Sequence, residues 1–318
     1  SRTSGLIILQ RMISSGMRRS INRCSHQTTG RSERVVPFCN EITAFLESNG
    51  FEYDLLTRMG QEIVLVQCGE EESLRCVVPV GILAASMSEA REQADCVNQM
   101  LESLGSEGIE TIVVTEDRWR SQGDMMRARL LAHLEVFTSL YARNCEVRKI
   151  DKAVAAPFLD AFHSYGDASC RYRYGLYLRR PSRDGKFEAG TLVAVAAFSN
   201  ARKWIKSGKT IRSYEWTRYA SLPGVRISGG MGKMLKAFIK EVDPDDIMSY
   251  ADLEWSEGAV YEQLGFTLEG RKDPVMFEID TEWERHPVKT VIHTPTSGNL
   301  FFCNFGSNKY RLKLTEYE

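Results

Sequence analysis

The 318-residue chain lacks any run of 18 or more apolar residues, which excludes a long membrane-spanning helix. It has no Cys-x-x-Cys pair: its eight cysteines, at positions 24, 39, 68, 76, 96, 145, 170 and 303, are scattered. That spacing argues against structural zinc, predicts no metal site, and reads as reduced thiols inside a cell. Internal repeats are absent. So are the GxxxxGK[ST] phosphate loop and the GxGxxG dinucleotide fingerprint. Acids are missing from the first 32 residues, which instead carry Arg2, Arg11, Arg18, Arg19, Arg23 and Arg31 among many Ser and Thr. A leader of this composition, residues 1–33, fits either an organelle transit peptide, mitochondrial or plastid, or a disordered basic tail.

What is present is ordinary for a globular protein, 43% apolar and 26% charged, and the length predicts two domains. The net charge of −1 conceals an uneven distribution. Residues 148–240 hold 19 Lys/Arg against 6 Asp/Glu, and residues 241–285 hold 14 acids against 3 bases. The basic block suits the phosphates of a nucleotide cofactor or of a nucleic acid, or it is solvated surface that cancels against the acidic block. "CRYRYGLYLRR" (170–180) reads in two ways as well. Its aromatics could stack on unpaired bases while its arginines hold phosphates, or it is a twisted strand with alternating faces.

The pattern becomes regular from Pro37. "FCNEITAFLESNGF" predicts a helix stopped at Asn49-Gly50, and 62–68 and 74–81 predict two strands joined by an acidic turn. A helix with Ser88 as N-cap follows and closes at Gly105. Next come a strand at "ETIVVTE" and one long helix over 125–144. Together these make an α/β unit over 34–147. The second unit opens near Val147. "YRYGLYLRR" and "FEAGTLVAVAAFSN" predict a hairpin, and "RSYEWTRYAS" predicts a strand that runs into "RISGGMGKML" (226–235) and a helix ended by Asp243-Pro244. Strand, short helix and strand follow at "DIMSYADL", "EGAVYEQLG" and "PVMFEIDT". The tail, 281–318, has aromatic strands around "TPTSGNLFFCNFGSNKYRLKL" and is expected to form a β hairpin or a flap.

A helix start presents unpaired backbone N–H groups and partial positive charge, and glycines let a phosphate approach them. Arg226 before the glycines and Lys233 after them add charge. By glycine count alone, the stretch is equally a helix-entry turn. The context decides. With "YEWTR" upstream and "YEQLGF" about 30 residues downstream, the region 148–280 resembles a GCN5-related N-acetyltransferase (GNAT) domain. In that family an Arg/Gln-x-x-Gly-x-Gly/Ala loop holds the pyrophosphate of acetyl-coenzyme A, and a Tyr on a later short helix protonates the departing thiolate. The resemblance implies Arg226, Ser228, Gly229, Gly230, Met231, Gly232 and Lys233 as the cofactor loop and Tyr261 as the acid. In this loop the second family glycine stands one place late, at Gly232.

The resemblance also implies a carboxylate base on the upstream strand, Glu215, with Asp252 as a second candidate and His163 near the acceptor entrance. Residue chemistry leaves alternatives open: Glu215 as a partner of Arg218, His163 as a structural histidine, and Tyr261 as core packing beside Leu264 and Phe266. The implied activity is direct acetyl transfer from acetyl-coenzyme A to an unidentified amine in a ternary complex.

The arrangement as a whole is similar to phage and bacterial proteins in which a nuclease-like domain of the very-short-patch-repair type, with the PD-(D/E)XK pattern, precedes such an acetyltransferase-like domain. The similar stretches are "GIETIVVTEDRW", "ARNCEVRKI", "FLDAFHSYG", "YEWTRY", "RISGGMGKML" and "IMSYADLEWSEGAVYEQLGF". Nucleases of this kind bind a divalent metal through carboxylates on two adjacent strands. Here Glu62 stands on one strand but the other offers Pro79 and no acid, and Glu116 and Asp117 lie farther along, so the nuclease is expected to be inactive. The expected class is therefore α/β (α+β), a small degenerate nuclease-like domain followed by a GNAT-like mixed-sheet domain and a β tail. Two further function classes remain open: a nucleic-acid-binding or base-modifying protein acting through the 148–240 block, and a non-catalytic interaction protein.

Overall fold

The computed structural model describes Arg18–Arg19 and residues 37–69, 73–206, 208–256, 258–288 and 299–317. Apart from Arg18–Arg19, the leader assigned above lies outside the described residues. The fold is mixed α/β, in two units that interleave along the chain. One comprises Ser1–Glu135 with Pro274–Phe305, the other Val136–Asp273 with Gly306–Glu318.

In the first unit, helix α1 (Phe38–Ser48) buries Phe38, Cys39, Ile42, Thr43 and Leu46, the stripe that its period requires. A meander of β2 (Tyr53–Arg58), β3 (Gln61–Cys68) and β4 (Ser73–Val80) follows, with Val64, Leu65, Val77 and Val78 in the core. Helix α2 (Met87–Ser106) then crosses to β5 (Glu110–Thr115), which pairs in parallel with β4. A two-residue strand, β1 (Arg18–Arg19), closes the other edge on β2. The N-cap of α2 is Ser86 rather than Ser88; its hydroxyl accepts the Glu89 amide at 3.3 Å, and Ala85 N–H donates to the Glu89 carboxylate at 2.9 Å.

The expected long helix over 125–144 is instead α3 (Glu116–Ser121) and α4 (Gly123–His133), and the chain turns at Glu135 with φ 68°. Beyond it Thr138 and Leu140 are buried and Ser139 is exposed, a period of two, so this stretch is strand β6 (Thr138–Tyr141).

The second unit is a twisted sheet. Its strands are β7 (Cys145–Lys149), β8 (Tyr172–Leu178), β9 (Leu192–Phe198), β10 (Arg202–Lys206), β11 (Lys209–Ser221), β13 (Asp246–Asp252), β14 (Thr267–Lys272) and β18 (Ser307–Lys313). Their order is β14-β18-β13-β11-β9-β8-β7, with β10 on β11. All pairs are antiparallel except β11 with β13. Between β11 and helix α6 (Gly230–Val242) lies β12 (Val225–Ser228), which pairs in parallel with β6.

Both faces of β9 are covered. Helix α5 (Lys152–Phe162) sets Ala155, Phe158 and Leu159 against Val195 and Ala197. On the opposite face α6 sets Met234, Leu235 and Phe238 against Phe198, Tyr214 and Trp216, with Phe198 and Phe238 stacked at 3.9 Å. Truncating a ring buried like Phe238 costs about 3–5 kcal/mol.

These boundaries differ from those expected from sequence. The 147/148 division falls inside β7, because β6 and β7 belong to the second unit. The strand expected at "PVMFEIDT" is β15 (Met276–Ile279) and sits in the first unit with β16 (Arg285–Pro287) and β17 (Leu300–Cys303). The tail is not a hairpin, since β17 pairs with β15 and β18 pairs with β13 and β14.

Candidate cofactor and transfer site

β11 and β13 pair only where Ser213, Tyr214 and Glu215 meet Asp246, Ile247 and Met248. Past that point a bulge at Thr217, between Trp216 and Arg218, shifts β11 against β9 and turns it away. β13 continues to Asp252 beside β18. Two parallel strands thus part, and each leaves an edge without its neighbour.

The short helix α7 (Ala259–Gln263) brings Tyr261 to this parting. The hydroxyls of Ser249 and Tyr261 lie 2.8 Å apart, and Ser249 Oγ is 2.9 Å from the Trp216 carbonyl, which the ladder has released. The Tyr261 ring stacks on Tyr310 at 5.3 Å and meets Trp216 and Phe266 edge-on. Burial pushes its pKa up and the Ser249 hydroxyl opposes that, so the phenol is neutral near pH 7 and has a proton to give. Core packing and hydrogen bonding therefore coexist at Tyr261.

At the same parting α6 begins. Gly229 is its N-cap, with φ 74° and no side-chain cap, so the amides of Gly230, Met231 and Gly232 open a helix without an intrahelical acceptor. The glycines are sterically required. A Cβ on Gly230 would lie 2.9 Å from Ile227 Cγ2 and 3.3 Å from Tyr219 Oη, and one on Gly232 would lie 3.1 Å from Leu264. Ser228 and Gly229 are exposed, so an anion has access to the helix start.

The charged members of the loop are placed differently. Arg226 is exposed, with its guanidinium 4.9 Å from the Phe137 ring. Lys233 turns away from the amides, and its Nζ donates to the carbonyls of Ala142 and Cys145 at 2.8 and 2.6 Å. Its ammonium closes the tight turn before β7, so the charge that the sequence offered to a phosphate is spent on backbone. Met231 is half-buried and packs on the core.

Glu215 is the last residue of β11 paired with β13. Its amide donates to Ser199 Oγ and its carbonyl accepts the Ser199 amide, each at 2.9 Å. Its carboxylate makes no ion pair among the described residues. Arg218, the partner that sequence offered, gives its guanidinium to the Gly166 and Thr217 carbonyls, each at 2.9 Å.

Asp252 and His163 are brought together through Tyr165, a residue to which no sequence motif points. The Tyr165 hydroxyl donates to Asp252 Oδ2 at 2.6 Å, and the Tyr165 amide donates to His163 Nδ1 at 3.1 Å, which leaves the histidine proton for Nε2. Asp252 Oδ1 also accepts the Glu254 amide at 3.0 Å, fixing the turn after β13. Sequence reasoning missed Ser249 and Ser199 too. The only available signal for Ser249 was a lone hydroxyl in an apolar strand.

Within "CRYRYGLYLRR" the strand Tyr172–Leu178 buries Arg173, Tyr174, Gly175 and Leu176 in succession, as a strand covered on both faces does. Tyr174 is buried with its hydroxyl on Glu241 at 2.8 Å, Tyr172 packs edge-on against Tyr214 and Phe238, and Arg173 is buried against Asp167 and the Ala168 carbonyl. The basic and acidic blocks do meet, through Lys149–Glu241 and Arg212–Asp245.

In the first unit the nuclease-type positions serve local structure. Glu62 lies beside the Cys39 thiol, whose pKa burial pushes up to about 12 with a contribution from that carboxylate. The Pro79 carbonyl accepts Gln61 Nε2 at 2.7 Å. Glu116 accepts the Ile82 amide at 3.0 Å and pairs with Arg120, which also holds Glu41. Asp117 is buried against Arg285. Among the described residues no cluster of three His, Cys, Asp or Glu could hold a metal ion, and no helix is long and apolar enough to cross a membrane. The seven cysteines among them are free thiols.

No family model matches the chain, and no curated protein sequence matches it. Solved structures similar to it are acetyltransferases. A protein from Salmonella typhimurium assigned as an acetyltransferase, solved with its cofactor acetyl-CoA, is 14% identical over 55% of this chain and 96% of its own, with a TM-score of 0.32. The ribosomal-protein-S5-alanine acetyltransferase from Vibrio fischeri is 10% identical over 55% of this chain and 96% of its own, with a TM-score of 0.32. A GNAT-family acetyltransferase from Bacillus anthracis is 13% identical over 54% of this chain and 95% of its own, with a TM-score of 0.29.

Proposed function

We propose that the second unit is a GNAT-type N-acyltransferase that moves an acyl group from acetyl-coenzyme A to an amine by direct transfer. One observation carries this reading. The parting of β11 from β13 has the bare amide start of α6 at its mouth and the Tyr261 hydroxyl within it. The cradle fits the group, since the uncapped amides of an exposed helix start suit a pyrophosphate and the glycines let the chain pack this tightly against Ile227 and Leu264.

When bound, acetyl-coenzyme A supplies an acyl group activated as a thioester. The amides of Gly230, Met231 and Gly232 would hold the pyrophosphate, with Ser228 and Arg226 at the loop's exposed rim. Glu215 would take one proton from the ammonium, which near pH 7 has no free lone pair to attack with; the second N–H proton, shed as the amide forms, passes to solvent. Tyr261, neutral near pH 7, would hold a proton for the departing thiolate and regain one from solvent afterwards. The resemblance puts His163 on the acceptor side, and Tyr165 ties it to Asp252. Titration calorimetry with acetyl-coenzyme A tests the reading: saturable binding that is lost in Gly230→Ala supports it, and no heat at millimolar ligand overturns it.

The first unit we read as a degenerate nuclease-like fold. The sequence α1, three-stranded meander, α2 and parallel β5 supports this reading, together with carboxylates tied up in ion pairs. Magnesium-dependent cleavage of DNA by the protein would refute it.

A further inference from the structure

Residues 202–206 and 209–212 form a two-stranded ribbon. Among the described residues β10 pairs with β11 alone, and β11 meets β13 only from Ser213 and β9 only from Trp216. This ribbon carries Arg202, Lys203, Lys206, Lys209 and Arg212 and no acid. The register sets Lys203 directly opposite Arg212 and Lys206 directly opposite Lys209. Like charges facing each other across a ladder destabilise it. Arg212 is answered by Asp245 at 3.6 Å, but no ion pair joins the other four to an acid among the described residues.

Lysine on an open edge guards it against strand addition, but guarding does not call for like charges set directly opposite each other, which weaken the ribbon itself. A single sign, with two opposed pairs, fits an external counter-charge. The four unanswered side chains are on exposed residues. The ribbon's aromatic residue, Trp204, is engaged edge-on with Tyr317 at 5.4 Å, which leaves Ile205, 77% exposed, as the large apolar side chain facing solvent. One such side chain is too little to anchor on a lipid surface. A two-stranded ribbon is, however, of a size that the major groove of B-form DNA admits, and its cations would lie along the phosphates.

We propose that the β10–β11 ribbon docks duplex DNA through its phosphates, using Arg202, Lys203, Lys206 and Lys209. This rests on the ribbon alone and stands or falls independently of acyl transfer.

The test is fluorescence anisotropy of the full chain with a labelled random-sequence duplex over a salt series. Binding should weaken linearly in log salt. Joint replacement of Lys203, Lys206 and Lys209 by Gln should lower affinity at least tenfold and flatten the salt slope by about 0.9 for each phosphate that is no longer neutralised. The matching Arg replacements should retain binding. Lys209→Glu, which makes the Lys206 pair attractive, should raise Tm while weakening the complex. Equal duplex affinity in the wild-type and Gln proteins overturns the proposal. So does binding to anionic vesicles but not to duplex, or a Gln variant that only aggregates, with affinity unchanged.

Discussion

Ser249 stands between the Tyr261 hydroxyl, at 2.8 Å, and the Trp216 carbonyl, at 2.9 Å. A serine hydroxyl has one proton and a carbonyl can only accept. With the Trp216 bond made, Tyr261 must donate to Ser249; once Tyr261 has given its proton away, Ser249 can swing its own toward the phenolate. Ser249 is thus a positioning residue for the proposed acid. Ser249→Ala should lower kcat by up to about a hundredfold, the low end of a general-acid contribution because the acid itself remains, and leave acetyl-coenzyme A affinity unchanged. Because Ser249 opposes the upward push of burial on Tyr261, its removal should also shift the alkaline fall of activity to higher pH. Ser249→Thr should restore the rate. A pH-rate profile of the three proteins checks this.

Gly230 gives a steric prediction. A methyl group there meets the branched side chain of Ile227, which cannot swing clear as a long flexible chain would. Gly230→Ala should weaken acetyl-coenzyme A binding at least tenfold, about 1.4 kcal/mol or more. Gly229→Ala should instead destabilise the fold by about 1–2 kcal/mol, because φ 74° is strained for an L side chain. Calorimetry and thermal melts separate the two effects.

Lys233 provides a contrast between charge and structure. Its Nζ bonds to the Ala142 and Cys145 carbonyls make it a clamp on the turn before β7. Lys233→Met should cost about 1.5–3 kcal/mol of stability, as expected for hydrogen bonds from a charged group. The salt dependence of coenzyme binding should stay the same. A flattened salt dependence without loss of Tm would show that the ammonium reaches the ligand.

His133 predicts acid sensitivity in the first unit. Burial, with Arg75 and Arg129 nearby, pushes its pKa from 6.5 down to about 4. The unfolded chain therefore binds a proton before the native state does. The stabilisation from a neutral His133 is complete above pH 6.5 and is lost as pH falls through about 4. His133→Gln should remove a stability loss of about 3 kcal/mol across that window, at about 1.4 kcal/mol per pH unit. Urea unfolding at a series of pH values measures the difference.

Much of the second unit's framework was visible in residue patterns. β9 is apolar on both faces, α6 has a clear apolar stripe, and Asp243-Pro244 stops that helix. The site itself was only partly legible. The loop glycines and Tyr261 were reached through the family resemblance, whereas the Ser249 bond depends on distances among residues 216, 249 and 261 on three elements. The bulge at Thr217 has no residue signature, since neither glycine nor proline marks it. Lys233 misled for a related reason: a cation after glycines is chemically apt for phosphate, and only the fold shows two carbonyls within its reach. The β6 strand was lost inside a helical reading, because its partner β12 lies some 85 residues on and no local pattern announces a parallel pair.

The position of β18 bears on how the protein is made. Among the described residues β14 pairs only with β18, and the edge of β13 away from β11 is covered by the same strand. A nascent chain that has emerged only as far as residue 305 therefore offers an uncovered β13 edge and an orphan β14, both open to pairing with a neighbouring polypeptide. Tyr310, the ring that backs Tyr261, arrives on that late strand as well. Translation must pass residue 313 before the tyrosine at the centre of the site has its wall, so truncated products should be not weak transferases but aggregation-prone chains cleared by proteolysis.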